Sequence, residues 1–216
     1  MKIKKIVDLS MPITPQTPIY PGDPKPDIEP ITTFHQEGYH VSRLTLGSHT
    51  GTHVDAPFHF RQDGERIDEV PLSKFIGKGV VINVTDKEEC QAITVDDVKP
   101  YLNKLTPGVI ALFHTGWSKY VSEDKYFRHP YISIEVVQAM IDRGIRTFFI
   151  DALNIDPPDG SAFPAHEAIT SVNGVIGENF INFEKIDFAD PYIIAFPLCL
   201  PGVDGSPVRA VAVEFV

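Results

Sequence analysis

Nine segments of the chain suit β-strands and only two read as full helices, an imbalance that constrains the fold more than any other feature. Residues 3–9, 28–35, 39–48, 78–85, 108–114, 146–151, 174–180, 192–197 and 208–215 are rich in Val, Ile, Phe and Thr. Gly, Pro or Asp bounds each of them. One helix is predicted over 95–104, behind the N-cap candidate Thr94. A second is predicted over 134–143: it follows Ser133, carries Val136, Val137, Met140 and Ile141 on one face, and stops at Gly144. A shorter helix starting near Pro164 carries His166. Two long helices cannot cover both faces of nine strands. The pattern therefore argues against a doubly wound fold and for a mixed α/β chain built on curled or layered mixed sheets.

No repeat, low-complexity tract or linker divides the chain, so one domain is expected over 1–216, and 43% hydrophobic content is enough for a proper core. No run of 18 apolar residues suggests a membrane span, and Asp8 and Pro12 interrupt the basic start before any signal-peptide core develops. A net charge of −10 argues against a nucleic-acid partner, whose phosphates require a basic face. Cys90 and Cys199 form no Cys-x-x-Cys motif and suit free thiols in a reducing cytoplasm.

The chemistry concentrates in residues 49–59, His-Thr-Gly-Thr-His-Val-Asp-Ala-Pro-Phe-His, which hold three of the eight histidines and a carboxylate. Imidazole and carboxylate are ligands of Zn(II), Mn(II) and similar ions. A helix does not bring them together: Asp55 would point roughly 200° away from His53, and Pro57 would break the ladder. A straight strand puts all four on one face but leaves His49 and His53 about 13 Å apart. Gly51 permits the bend that would close this gap, so a curved strand end or loop is expected, with Pro57 stiffening the exit toward His59. A polar, His-rich surface loop is the plain alternative, and the hinge residues argue against it.

His49, His53 and Asp55 would give one ion three protein ligands and leave a position open for water, the arrangement of a catalytic site. The ion would lower the pKa of that water toward ~7, giving hydroxide, and would polarise a carbonyl. His59 would then stand beside it as general acid or base, or serve as a fourth ligand.

The pattern His-x-Gly-Thr-His-x-Asp-x-Pro-x-His resembles the signature of the metal-dependent cyclase-like hydrolases, which include bacterial kynurenine formamidases and isatin hydrolases. Pro18-Ile19-Tyr20-Pro21-Gly22-Asp23-Pro24, Pro164-Ala165-His166 with Glu178, and Pro201 to Arg209 resemble further segments of that family in the same order. The resemblance implies a swivelling β/β/α, barrel-like architecture. It also implies His59 as the catalytic histidine, Asp55 and Glu178 as bridging carboxylates, and His166 as the remaining ligand of a second site. It further implies one or two divalent ions per chain and a homodimer; the N/O donor set suits Zn(II) first and Mn(II) next, and the Pro-rich 12–30 segment is the candidate arm to reach across. Tyr20, where the formamidases carry Trp, is the implied substrate-stacking ring.

The expected activity is therefore metal-dependent hydrolysis of a small-molecule amide C–N bond, with N-formyl-L-kynurenine as substrate. A cyclic amide or lactone hydrolase of the isatin-opening type is the second reading, and a metal-dependent small-molecule binding protein without turnover the third. Asp204-Gly205-Ser206-Pro207 reads as a tight turn, Asp151 and Asp156 as turn caps or site-lining residues, and His35, His40, His114 and His129 as structural.

Overall fold

The structure, a computed structural model, describes residues 2–216; Met1, the first residue of the expected domain, lies outside them. The strands begin with β1 (Ile3–Asp8), β2 (Asp27–Thr32), β3 (Val41–Thr45), β4 (His53–Asp55) and β5 (Ile76–Asn83). They continue with β6 (Ala92–Ile93), β7 (Ile110–His114), β8 (Tyr131–Ile132) and β9 (Thr147–Ile150). The last four are β10 (Val175–Glu178), β11 (Tyr192–Ile194), β12 (Gly205–Pro207) and β13 (Val211–Phe215). The helices are α1 (Phe34–Glu37), α2 (Val95–Val98), α3 (Ile134–Asp142) and α4 (Pro164–Ser171).

Nine strands make one sheet in the order β1-β13-β11-β5-β7-β9-β10-β4-β12. Strands β5, β7, β9 and β10 run parallel, and the neighbours on both sides pair antiparallel. Because side chains alternate along a strand, the parallel centre feeds two cores. Ala111, Phe113, Phe148 and Ile150 face one, where Val136, Val137, Met140 and Ile141 of α3 cover them. Ile110, Leu112 and Phe149 face the other.

That second core is closed by the sheet itself. Val7 of β1, Ala212 of β13, Ile193 of β11 and Val54 of β4 all meet there, although β1 and β4 lie far apart in the strand order. Backbone bonds from Ile181 N to Leu9 O (3.0 Å) and Val208 N to Thr52 O (2.9 Å) help close the curl. A curled mixed sheet with few helices is the architecture expected from the sequence.

Local differences have local causes. The helix predicted over 95–104 keeps its Thr94 cap, whose backbone N–H bonds Asp97 Oδ2 at 2.7 Å, but its α-helical part ends at Val98 and a 3₁₀ turn follows. Pro100 lacks the amide hydrogen that another α turn requires. The strand predicted over 28–35 stops at Thr32, and Phe34–Glu37 forms a helical turn at the tip of the β2–β3 hairpin. Residues 205–207, read as a turn, form edge strand β12 against β4, a place where Pro207 is tolerated. Among the described residues no helix is long and apolar enough to cross a membrane.

His129 is structural, as expected. It is 1 % exposed, and its Nδ1–H donates to Pro130 O at 3.0 Å. Burial pushes its pKa down to about 4, against the opposing influence of that bond and of Asp156. The unfolded chain therefore takes up this proton first as pH falls, so the contribution to stability is full above ~6.5 and lost on the way down to the folded value. Replacing His129 by Gln should flatten that slope. Denaturant unfolding of both proteins from pH 7 to pH 4 should show the wild type losing roughly 3 kcal/mol more than His129→Gln.

Candidate metal centre

The register between β4 and β10 creates the site. His53 lies opposite Glu178, and Asp55 is two residues along from His53, so all three side chains share one face. His53 Nε2 stands 3.3 Å from Asp55 Oδ1 and 3.6 Å from Glu178 Oε2, with all three residues buried. Gly51 at φ +66° bends the preceding chain back, leaving the His49 and His53 rings 5.0 Å apart. Gly205 of β12 makes room for the returning ring, since a Cβ there would lie 2.9 Å from His49 Cε1.

His166 arrives from the first turn of α4, where Asp156 accepts the Ala165 and His166 N–H groups at 2.7 and 3.0 Å. The same carboxylate accepts His166 Nδ1–H at 2.6 Å, turning Nε2 toward Asp55 Oδ2 and Glu178 Oε1, each 3.5 Å away. His53 is oriented likewise, with Nδ1–H donating to Gly51 O at 2.8 Å. His49 faces Asp55 Oδ1 through Nδ1 (2.8 Å) and Asp204 Oδ2 through Nε2 (3.0 Å). His59, at the end of the 3₁₀ turn Pro57–His59, donates from Nδ1 to Asp204 Oδ2 at 3.2 Å and lies 4.0 Å from the His49 ring, centroid to centroid.

The electrostatics call for cations. Burial alone would lower the His49 and His166 pKa values, yet the acids around them raise both to about 10: Asp55 and Asp204 for His49, Asp156, Asp55 and Glu178 for His166. Burial lifts Glu178 to about 7, with His166 opposing. Burial also works against the Asp55 carboxylate, but the charges of His49 and His53 hold it well below the usual range. Hydrogen bonds from His49 and His59 do the same for Asp204.

His53 Nε2 and Asp55 Oδ2 are both sealed from solvent without a hydrogen-bond partner. With Nδ1–H committed to Gly51 O, a neutral His53 aims a lone pair at carboxylate oxygens. A proton on Nε2 or a metal ion between the groups relieves that opposition, and the all-N/O donor set fits a divalent metal ion. Asp55 belongs to both convergent groups, one with His53 and Glu178 and one with His49 and His59. The structure thus brings together all six residues singled out as ligands or acid–base group.

Tyr20 lies at the same pocket, where its ring meets Phe163 edge-on at 6.2 Å. Phe163 and Phe60 stand 5.3 Å apart, and Phe60 lies 4.5 Å from the His166 ring, giving the pocket an apolar wall beside its ionic floor. Sequence reasoning missed Phe60 and Phe163, although each sits next to a residue it had singled out. Asp204 is missed as well, because its turn-like surroundings hide an edge strand, while Asp156, open between turn cap and site-lining residue, proves to be both. Asp151 is a cap, accepting from Thr115 and Gly116 N–H groups at 2.7 and 2.8 Å.

Residues 7–157 match a family described as "Putative cyclase". The chain belongs to this family. It is 30% identical over 213 residues to a kynurenine formamidase of Bacillus anthracis, covering 98% of each chain. Its fold is similar to isatin hydrolase A from Ralstonia solanacearum, with TM-score 0.88 and 25% identity over 98% of this chain and 92% of the other. It is also similar to a structure described as a "predicted metal-dependent hydrolase from Bacillus stearothermophilus", with TM-score 0.79 and 27% identity over 98% of both chains.

Asp156→Asn should keep the helix cap but weaken the hold on His166 Nδ1. Metal content after dialysis against graded chelator should show affinity lowered about 10- to 100-fold.

Proposed function

We propose that this cyclase-family chain is a metal-dependent hydrolase of amide C–N bonds and acts on an aryl formamide, N-formyl-L-kynurenine being the substrate to test first. The observation that carries this reading is the convergence of His53 Nε2, His166 Nε2, Asp55 and Glu178 on one buried point beside an aromatic pocket. The kinship with a kynurenine formamidase supports it. His49, His53, Asp55, Glu178 and His166 would hold one or two ions, with Zn(II) favoured and Mn(II) second on an all-N/O donor set. When bound, a divalent ion supplies Lewis acidity, polarising a carbonyl and easing the ionisation of water.

The chain's own residues do the rest. The rings of Phe60, Phe163 and Tyr20 receive the aryl group and exclude water around it. His59 has its Nδ1–H anchored on Asp204, which fixes the ring and leaves Nε2 free at the pocket. Nε2 takes a proton from the attacking water and returns it to the leaving nitrogen. Water's oxygen thus ends on the carbonyl carbon as the C–N bond breaks, yielding formate and an aryl amine.

Hydrolysis of a cyclic amide of the isatin type is the second reading. The likeness to isatin hydrolase A and the phenol of Tyr20 in place of an indole favour it. The 1–216 chain is read as one domain, supported by a sheet whose strands run from Ile3 to Phe215. Exposed free thiols at Cys90 and Cys199 support a cytoplasmic setting. A homodimer is supported by the β2–β3 hairpin, where Phe34 (63 % exposed) and Leu44 (60 %) are bared on a two-stranded unit that is marginal alone. This exposed arm spans 27–45 and so lies beyond most of the 12–30 segment expected to reach across. Light scattering should give twice the 24.0 kDa chain mass, and a monomeric mass would remove the dimer.

Turnover of N-formyl-L-kynurenine and isatin by Zn(II)- or Mn(II)-loaded protein tests the main reading. Kynurenine release should exceed isatin opening. His59→Ala should retain its metal and lose about 10²- to 10⁴-fold in kcat.

A further inference from the structure

Two asparagine side chains at the pocket have been given no task. Asn154 Oδ1 accepts the Asp156 N–H at 2.7 Å, and Asn179 Oδ1 accepts the hydroxyl hydrogen of fully buried Tyr126 at 2.6 Å. Each amide oxygen is therefore used within the protein. Neither Nδ2 has a hydrogen-bond acceptor among the described residues, yet neither is sealed from solvent. Both residues line the pocket that contains His59 and Glu178.

Their positions are fixed from outside the pocket. Asn179 sits in the left-handed region at φ +58°, with its N–H on Ala152 O (2.8 Å) and its carbonyl accepting the Thr52 hydroxyl (2.6 Å). The next strut, from Ile155 N–H to Glu178 Oε1 at 2.8 Å, keeps the segment bearing Asn154 alongside. A backbone N–H can only donate, so the bond from Asp156 leaves Asn154 one orientation, Nδ2 outward. The Tyr126 hydroxyl can donate or accept, and in the structure it meets Asn179 Oδ1, which turns that Nδ2 the same way.

We propose that the Asn154 and Asn179 amides are a paired donor that reads a second carbonyl oxygen of the substrate, one carried beside the amide to be cleaved. The proposal deepens the reading of the site as an aryl amide hydrolase and rests on it for the identity of the cleaved bond. A donor-only group demands an acceptor on its ligand. No Lys or Arg among the described residues lines the pocket, so the two amides suit a neutral carbonyl, and any pull on a carboxylate would come from the ions themselves. Uncharged amides supply N–H groups without demanding an anion. N-formyl-L-kynurenine and isatin, the two substrates under test, both carry such an oxygen beside the amide. Asn154 and Asn179 set specificity, and Tyr126 is a positioning residue.

Binding of 2-aminoacetophenone and 2-ethylaniline, which differ by one carbonyl oxygen, tests this in the metal-loaded protein by ligand-observed NMR titration. Wild type should prefer the ketone by about tenfold. Asn154→Asp and Asn179→Asp retain Oδ1 for its internal partner and turn the donor into an acceptor, so each should abolish most of that preference. Tyr126→Phe should weaken it, because it frees Asn179 to turn. If one variant does not fold, the other two still decide. No preference in wild type, or one unchanged in the variants, would overturn the proposal; an unchanged preference would assign carbonyl recognition to the metal. The measurement needs no turnover. A protein that hydrolyses neither test amide but shows the Asn-dependent preference would refute the activity and leave the donor pair standing.

Discussion

Asp55 is 1 % exposed in the short strand β4, with imidazole nitrogens of His49, His53 and His166 at 2.8, 3.3 and 3.5 Å. A carboxylate buried to that depth costs several kcal/mol unless positive charge accompanies it. The surrounding structure is arranged to supply that charge at one point. Register with β10 brings Glu178 to the same face, Gly51 folds His49 back, and α4 begins where His166 can reach. Each histidine ligand candidate has one ring nitrogen engaged by a carbonyl or carboxylate, so its other nitrogen faces the acids.

The curled sheet makes this economical. Strands β4 and β10 deliver His53, Asp55 and Glu178 from neighbouring positions and β12 follows directly on Asp204, while the opposite ends of the same sheet meet in an apolar core. The site therefore lies where rigid strands end and short turns begin. His59 and Phe60 leave β4 through one such turn, which carries acid–base and aromatic groups out of the same run of sequence. Ionic floor and aromatic wall are consequences of one local chain path.

Residues close in sequence were the legible ones. The run from His49 to His59 can be tested against strand and helix periods, and both fail unless Gly51 bends the chain, which it does at φ +66°. The two-core alternation of β7 and β9 was visible only as continuous apolar runs. His166 and Glu178 needed family resemblance, since a lone His at a helix start or a lone Glu at a strand end carries no chemistry by itself. Asp204 was hidden because its partner His49 lies 155 residues away and its neighbours Gly205, Ser206 and Pro207 have turn composition. Asn154 and Asn179 carry no sequence signal, because their role depends on which amide atom is engaged internally. Pro100 is legible as a helix breaker, and the α-helical turn of the 95–104 segment ends before it.

Anomalous diffraction from crystals grown with Zn(II), recorded on both sides of the zinc absorption edge, tests the central claim most directly. The account predicts a strong peak in contact with His53 Nε2, Asp55 and Glu178, with occupancy lost in Asp55→Ala. Peaks confined to surface histidines such as His35 or His40, with His53 Nε2 facing only protein atoms, would contradict it.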